Sequence, residues 1–314
     1  MPISRVNSSH PQARARPGAQ PCPAGLFNPG IGQRAGHQIG DQHQLLVFAP
    51  ARTGLRRENA DPRQVRYHNH IRIESCFQIE GNVLLTIVML PGMDGTGDLF
   101  APIITELGSV MSAIVVRYPD APLGYEALIA HARQALPAAG DFFLLGESFS
   151  GPIAVALAAD GNPRLRGLIL SAAFIRNPLP WTSPIAPLVE VAPVTGAPAS
   201  LLTRALLGQF STPARRAMIC ASLAKKSRTT IRARLRAIAE IDMRDRLATV
   251  NVPILYLRAS HDRIVPESAG DLVMLIKPET TLVTVQAPHF LLQVGFREAA
   301  RAIRAFMAKT SRRS

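Results

Sequence analysis

Cysteine is scarce in this 314-residue chain, where only Cys22, Cys76 and Cys220 occur. Odd in number and widely spaced, they form neither a disulfide framework nor a zinc-ligand pattern and read as plain thiols, so no metal site is expected. Aromatic residues make up only 5%. No zinc-finger spacing and no basic stripe interleaved with aromatics is present, which removes the usual sequence signs of nucleic-acid binding. Long hydrophobic runs are missing too. The strongest, Leu84–Leu90 and Phe142–Leu145, fall far short of the roughly 18 residues that a membrane-spanning helix needs. The first thirty residues carry Arg5, Arg14 and Arg16 but no apolar segment of the secretory kind, so a cytoplasmic location is expected. No repeat of solenoid period is found.

Acidic residues are outnumbered, with 22 Asp and Glu against 35 Lys and Arg, a formal net charge of +13. The excess is not uniform. Residues 1–82 hold ten basic against five acidic residues and residues 174–250 twelve against four, so the remainder of the chain is neutral overall. Hydrophobic residues reach 47%, ample for a buried core.

Residues 1–70 mix Pro, Gly, Gln, Arg and His with little apolar periodicity, the composition of a disordered or loosely packed extension. Ile71–Ile79 alternates weakly and could add a strand. From Leu84 the pattern becomes strict. Strand-like runs at Leu84–Leu90, Ala113–Arg117, Phe142–Leu145, Leu168–Ser171, Ile254–Leu257 and Thr281–Val285 alternate with helical stretches. Those helices include Leu99–Leu107, Tyr125–Ala135, Gly151–Ala159 and Phe296–Ala308. Such alternation implies an α/β fold, a mostly parallel sheet flanked by helices on both faces. The alternation breaks across 174–250, which reads as an inserted helical cap, leaving 71–173 and 251–314 as the core. Within the cap, Ile231, Leu235 and Ile238 form an apolar stripe while Arg228, Arg232 and Arg236 share another face.

Chemistry concentrates at the ends of the strand-like runs. Phe142-Phe-Leu-Leu-Gly-Glu-Ser148-Phe-Ser-Gly runs from a buried strand into a helix with Ser148 at the corner. A strained strand-to-helix turn of this kind exposes a nucleophilic hydroxyl, and Gly146 supplies the small residue two places before it. Ser150 stands two places after, with Gly151 next. A helix N-cap is the bland role of Ser148. Asp262 follows the run Ile254–Leu257 and its next few residues, and His289 follows the run Thr281–Val285 closely. Serine, acid and histidine in that order, each past a strand, match a Ser-His-Asp relay. His261 is a weaker candidate base, because choosing it leaves His289 without a role. The loop Leu90-Pro-Gly-Met93-Asp-Gly-Thr-Gly can supply one oxyanion donor, since Gly92 and Gly95 allow close approach of a ligand to the backbone. The expected donors are the N–H groups of Met93 and of Phe149. Asp94 is expected to point away and help cap the following helix.

With LPGMDGTGDLF, GESFSG, ASHDRIVP and APHF in place, residues from about Leu84 to Met307 resemble the α/β-hydrolase family, in its branch of small carboxylesterases with a helical cap. Two departures stand out: Pro-Gly replaces the His-Gly found in many members before the oxyanion residue, and Ser150 replaces a glycine. The resemblance implies a serine hydrolase acting on a small acyl ester or thioester with no cofactor. Ser148 would be its nucleophile, His289 its base and Asp262 the acid orienting that base. Trp181 and Phe290 are expected substrate contacts, and the basic cap could meet an acidic carrier protein. Two rivals are weighed. A dinucleotide-binding oxidoreductase would use Gly92, Gly95, Gly97 and Asp120, but Asp94 occupies the middle glycine of that motif. A non-catalytic ligand receptor could keep the same fold and triad.

Overall fold

The structure, a computed structural model, describes residues 85–108, 111–178, 203–204 and 206–311. The expected extension over 1–70, the possible strand Ile71–Ile79, Trp181, Cys22 and Cys76 lie outside the described residues.

Six strands form one parallel sheet in the order β2-β1-β3-β4-β5-β6. They are β1 Leu85–Leu90, β2 Met111–Val115, β3 Phe142–Glu147, β4 Leu165–Ser171, β5 Ile254–His261 and β6 Thr281–Pro288. β3 is buried at all six positions, as a central parallel strand covered on both faces must be, and this is why its run Phe142–Leu145 is continuous apolar rather than alternating. The outermost β6 is buried only at Val285, Ala287 and Pro288. Alternate side chains of β1 feed opposite layers. Val88 and Leu90 pack with helices α2 (Tyr125–Gln134) and α3 (Gly151–Ala159), whereas Ile87 and Met89 pack with α1 (Ala101–Leu107).

The long helix α9 (Phe296–Ser311) closes the second layer. It buries Ala299, Ala300, Ile303, Phe306 and Met307 at helical spacing, and Phe306 stands edge-on to Phe143 of β3 with ring centroids 6.1 Å apart. Between β4 and β5 the chain leaves the sheet and returns. There the described residues form α4 (Pro213–Leu223), α5 (Arg228–Glu240) and α6 (Arg244–Ala248). Exit and return are stitched together, Asn177 N donating to Ile241 O and Met243 N to Ile175 O. Thr212 and Ser227 cap α4 and α5 by accepting from the main-chain N–H groups of Arg215 and Thr230. After β5 come α7 (Glu267–Ile276) and, after β6, the single turn α8 (Leu291–Val294). Among the described residues no helix is long and apolar enough to cross a membrane.

Parallel pairing puts every strand's carboxyl end on one edge, and the register decides which loops meet there. Leu90 of β1 pairs with Gly146 of β3, so the loop from Pro91 runs beside Glu147 and Ser148. A register shift in β5 sets His261 opposite Pro288, so Asp262 and His289 leave the sheet side by side.

Candidate active site

Ser148 has a φ of 49°, in the left-handed region that a residue with a side chain adopts only under constraint. Its surroundings impose it. A Cβ on Gly146 would lie 2.7 Å from both Ala154 Cβ and Ser150 O, and one on Gly151 would lie 2.4 Å from Phe174 O, so both positions must remain glycine for strand and helix to pack this closely. Ser150 is fully buried; its hydroxyl donates to Pro91 O and shares a 2.7 Å hydrogen bond with Tyr118 OH. It therefore ties the elbow to the neighbouring loop, a hydroxyl function that glycine could not supply.

Ser148 Oγ lies 2.8 Å from His289 Nε2, and His289 Nδ1 lies 2.8 Å from Asp262 Oδ2. The other carboxylate oxygen of Asp262 accepts from the N–H groups of Ile264 and Val265, at 2.8 and 2.9 Å. These bonds aim the acid at the imidazole. Asp262 and His289 are nearly withdrawn from water while Ser148 stays partly accessible. A histidine donating from Nδ1 to a carboxylate presents a lone pair at Nε2, the tautomer that can take a serine proton. His261 is exposed and turned elsewhere, sharing hydrogen bonds with Ser260 and Gln209.

Phe149 directly follows Ser148, and Met93 lies in the loop after β1. The main chain of 92–95 makes a tight turn, Gly95 N donating to Gly92 O at 2.9 Å. Phe149 is buried, its ring stacked on Tyr125 at 4.8 Å, and Tyr125 OH donates to its carbonyl. Asp94 is buried and turned onto Thr96 and Ser222, accepting from Thr96 N, Thr96 Oγ1 and Ser222 Oγ. It thus bridges to α4 rather than capping the next helix as its position in sequence implied; Gly97 caps the 3-10 turn Asp98–Phe100 that leads into α1. Phe290 stands edge-on to His289 with centroids 5.9 Å apart.

Two groups here escaped sequence reasoning. Glu147, beside Ser148, is buried, and burial pushes its pKa up to about 7, partly offset by a 2.9 Å hydrogen bond from Gln293 Nε2. Arg234 of α5 is fully buried against the 93–95 loop. Asp120, which a dinucleotide reading would place on a ribose, instead accepts from Ser227 N and Oγ at the start of α5. Among the described residues no cluster of three or more metal-ligating side chains occurs.

The family model described as serine aminopeptidase, S33, matches residues 120–285, more than half of the chain. The chain belongs to this α/β-hydrolase family. Solved structures resemble the hydrolase at low identity. An esterase from Thermogutta terrifontis with malate bound is 21% identical with a TM-score of 0.62, over 73% of this chain and 91% of that one. The enol-lactonase from Burkholderia xenovorans is 19% identical with a TM-score of 0.61, over 72% and 92%. A lipase-esterase related protein from Clostridium acetobutylicum is 16% identical with a TM-score of 0.62, over 71% and 94%. At these identities the likeness is one of fold. No curated protein matches the sequence.

Proposed function

We propose that the hydrolase cleaves carboxylic esters or thioesters through an acyl-enzyme on Ser148. The observation that carries this reading is the unbroken chain Ser148 Oγ to His289 to Asp262, both links 2.8 Å, ending on a serine at φ 49°. Ser148 Oγ attacks the acyl carbonyl carbon as His289 Nε2 takes its proton, and Asp262 stabilises the imidazolium. The carbon–oxygen or carbon–sulfur bond of the leaving group then breaks, and the departing alkoxide or thiolate takes that proton from His289. Water attacks the acyl-enzyme, gives its proton to His289, and Ser148 recovers it as the acid leaves. The N–H groups of Met93 and Phe149 receive the negative charge that develops on the carbonyl oxygen. Phe290, beside His289, lines the acyl side on this reading.

The core on this reading is 71–173 with 251–314, capped by 174–250, while residues 1–70 take no part in turnover.

The test is turnover of p-nitrophenyl esters and acyl thioesters of graded length, with amino-acid p-nitroanilides as the amide arm. Ser148→Ala and His289→Ala should each lower kcat by several orders of magnitude with the fold retained, and Asp262→Asn by roughly 10⁴. Labelling by a fluorophosphonate should vanish in Ser148→Ala. Near-normal turnover by His289→Ala would overturn the reading, and labelling without turnover on any arm would favour a ligand receptor.

A further inference from the structure

We propose that Arg234 is a positioning residue for the oxyanion hole, through which the helical insertion sets the hole's geometry. The inference rests on the assignment of Met93 and Phe149 as oxyanion donors. It starts from a placement that is costly unless it is used, because a guanidinium carries its charge permanently and Arg234 is fully buried. An apolar side chain of similar volume would fill the same slot without that desolvation.

What the guanidinium touches is the oxyanion machinery from behind. Nη1 donates to Met93 O at 2.5 Å and Nη2 to Pro119 O at 3.2 Å, so the planar fork spans the loops after β1 and β2. The same group lies over the ring of Phe149, 5.9 Å from its centroid, and over that of Tyr118 at 5.7 Å. One side chain from α5 thereby contacts both residues whose N–H groups form the hole. Anchoring the Met93 carbonyl restrains the main chain on either side of it, and with it the direction of the Met93 N–H.

The loop is shaped to receive it. Gly95 sits at φ 64°, and a Cβ there would lie 2.6 Å from Arg234 Nη1 and 3.0 Å from Nη2. The close approach that Gly95 permits is taken by this arginine. A second tie from the insertion acts on the same loop, Ser222 of α4 donating to Asp94 and sharing a 2.8 Å hydrogen bond with Thr96. Burial opposes the charge and holds the Arg234 pKa below its ordinary value, while Tyr118, Asp94 and Asp120 partly offset that effect. That charge in turn favours an oxyanion on the far side of the loop, where the surroundings are of low dielectric.

The experiment compares wild type, Arg234→Met, Arg234→Lys and Ser148→Ala on p-nitrophenyl butyrate, with Arg244→Met as an exposed arginine of the insertion. A trifluoromethyl ketone, which forms an oxyanionic adduct with a serine, is measured beside its unreactive methyl ketone. Arg234→Met should lower kcat roughly 10- to 100-fold, short of the 10²–10³ seen on removing an oxyanion donor outright, with KM within about threefold. Inhibition by the trifluoromethyl ketone should weaken by the same factor as kcat/KM, and inhibition by the methyl ketone should not. Arg234→Lys should recover part of kcat, and Arg244→Met should match wild type. If Arg234→Met does not fold, Arg234→Lys decides alone, by a lowered kcat paired with weaker trifluoromethyl ketone inhibition. Wild-type kcat in the Arg234 variants, or losses shared equally by both ketones, would overturn the proposal even if Ser148→Ala is inactive. Turnover that survives Ser148→Ala would overturn the nucleophile assignment and this inference with it.

Discussion

A carboxyl group withdrawn from water resists ionisation, and at Glu147 that resistance makes the stability of the fold depend on pH. Its carboxyl faces Gln293, the N–H of Gly92, and more distantly Asp94 and His289. Burial raises its pKa from 4.5 to about 7. Between these values the folded chain holds a proton that the unfolded chain has released, so this group's contribution to stability is highest below about pH 4.5 and falls as pH rises toward 7. The loss across that window comes to about 3 kcal/mol at 1.36 kcal/mol per unit. Glu147→Gln imitates the protonated acid and removes the dependence. Urea unfolding at pH 4.5, 6 and 8 should therefore show a variant whose advantage over wild type grows with pH and then levels off. An advantage that does not change with pH would show that Glu147 ionises freely. That Ser148, Asp262 and His289 meet could be read from sequence, because each follows an apolar run that marks a strand and those strand ends share one edge of the sheet. Glu147 and Arg234 could not, since a glutamate beside a serine and one arginine among many look the same whether they meet water or a closed interior.

At the scale of elements, the parallel order of strands and helices was legible because continuous apolar runs are what doubly covered strands require. The ends were less so. β5 and β6 run on to His261 and Pro288, beyond the apolar stretches, because main-chain pairing continues after the side chains turn polar near the sheet's edge. Helix α5 also departs from expectation. Its deepest positions are Thr230 and Arg234, while Ile231, Leu235 and Ile238 are only half-buried. The reason is that its inner face lies partly on main-chain carbonyls and loops, where a hydrogen-bond donor fits better than an alkyl group. The join between β3, α3 and β4 gives a direct test of packing. Gly151 opens α3, and a methyl there would meet Phe174 O at 2.4 Å and Ala173 Cβ at 3.0 Å, neither of which can swing aside. Gly151→Ala should cost about 1–3 kcal/mol in unfolding free energy, as overpacking does. Because the shift is transmitted to Ser148 three residues earlier, kcat should fall as well. A variant with unchanged stability and kcat would mean that α3 can slide without disturbing the elbow.

Over the whole molecule, the basic insertion and the neutral core are matched in charge at their contact. Lys225 of the insertion pairs with Asp98 of the core at 2.6 Å, Lys226 donates to Tyr118 O, and Arg246 faces Asp160 at 3.7 Å. Burial opposes ionisation of Asp98, but hydrogen bonds from Lys225 and Arg117 outweigh it and hold its pKa below the ordinary value. Part of the excess charge that stood out in the sequence is therefore used in docking, where exposed pairs contribute little each. The buried contacts of Arg234 and Ser222 are shielded from salt, so the insertion should stay in place when the surface pairs are screened. The net charge of +13 remains as a long-range field that acts on charged substrates during encounter and not on the chemical step. These two effects separate in a salt series from about 10 to about 150 mM, over which the screening length shrinks from about 30 to about 8 Å. For p-nitrophenyl butyrate, which is neutral, kcat/KM should hold within about twofold, as its encounter feels no field. For p-nitrophenyl hemisuccinate, which carries one carboxylate, kcat/KM should fall roughly two- to fivefold while kcat stays constant. Equal losses on both esters, appearing in kcat, would show instead that salt loosens the insertion and that the surface pairs hold it down.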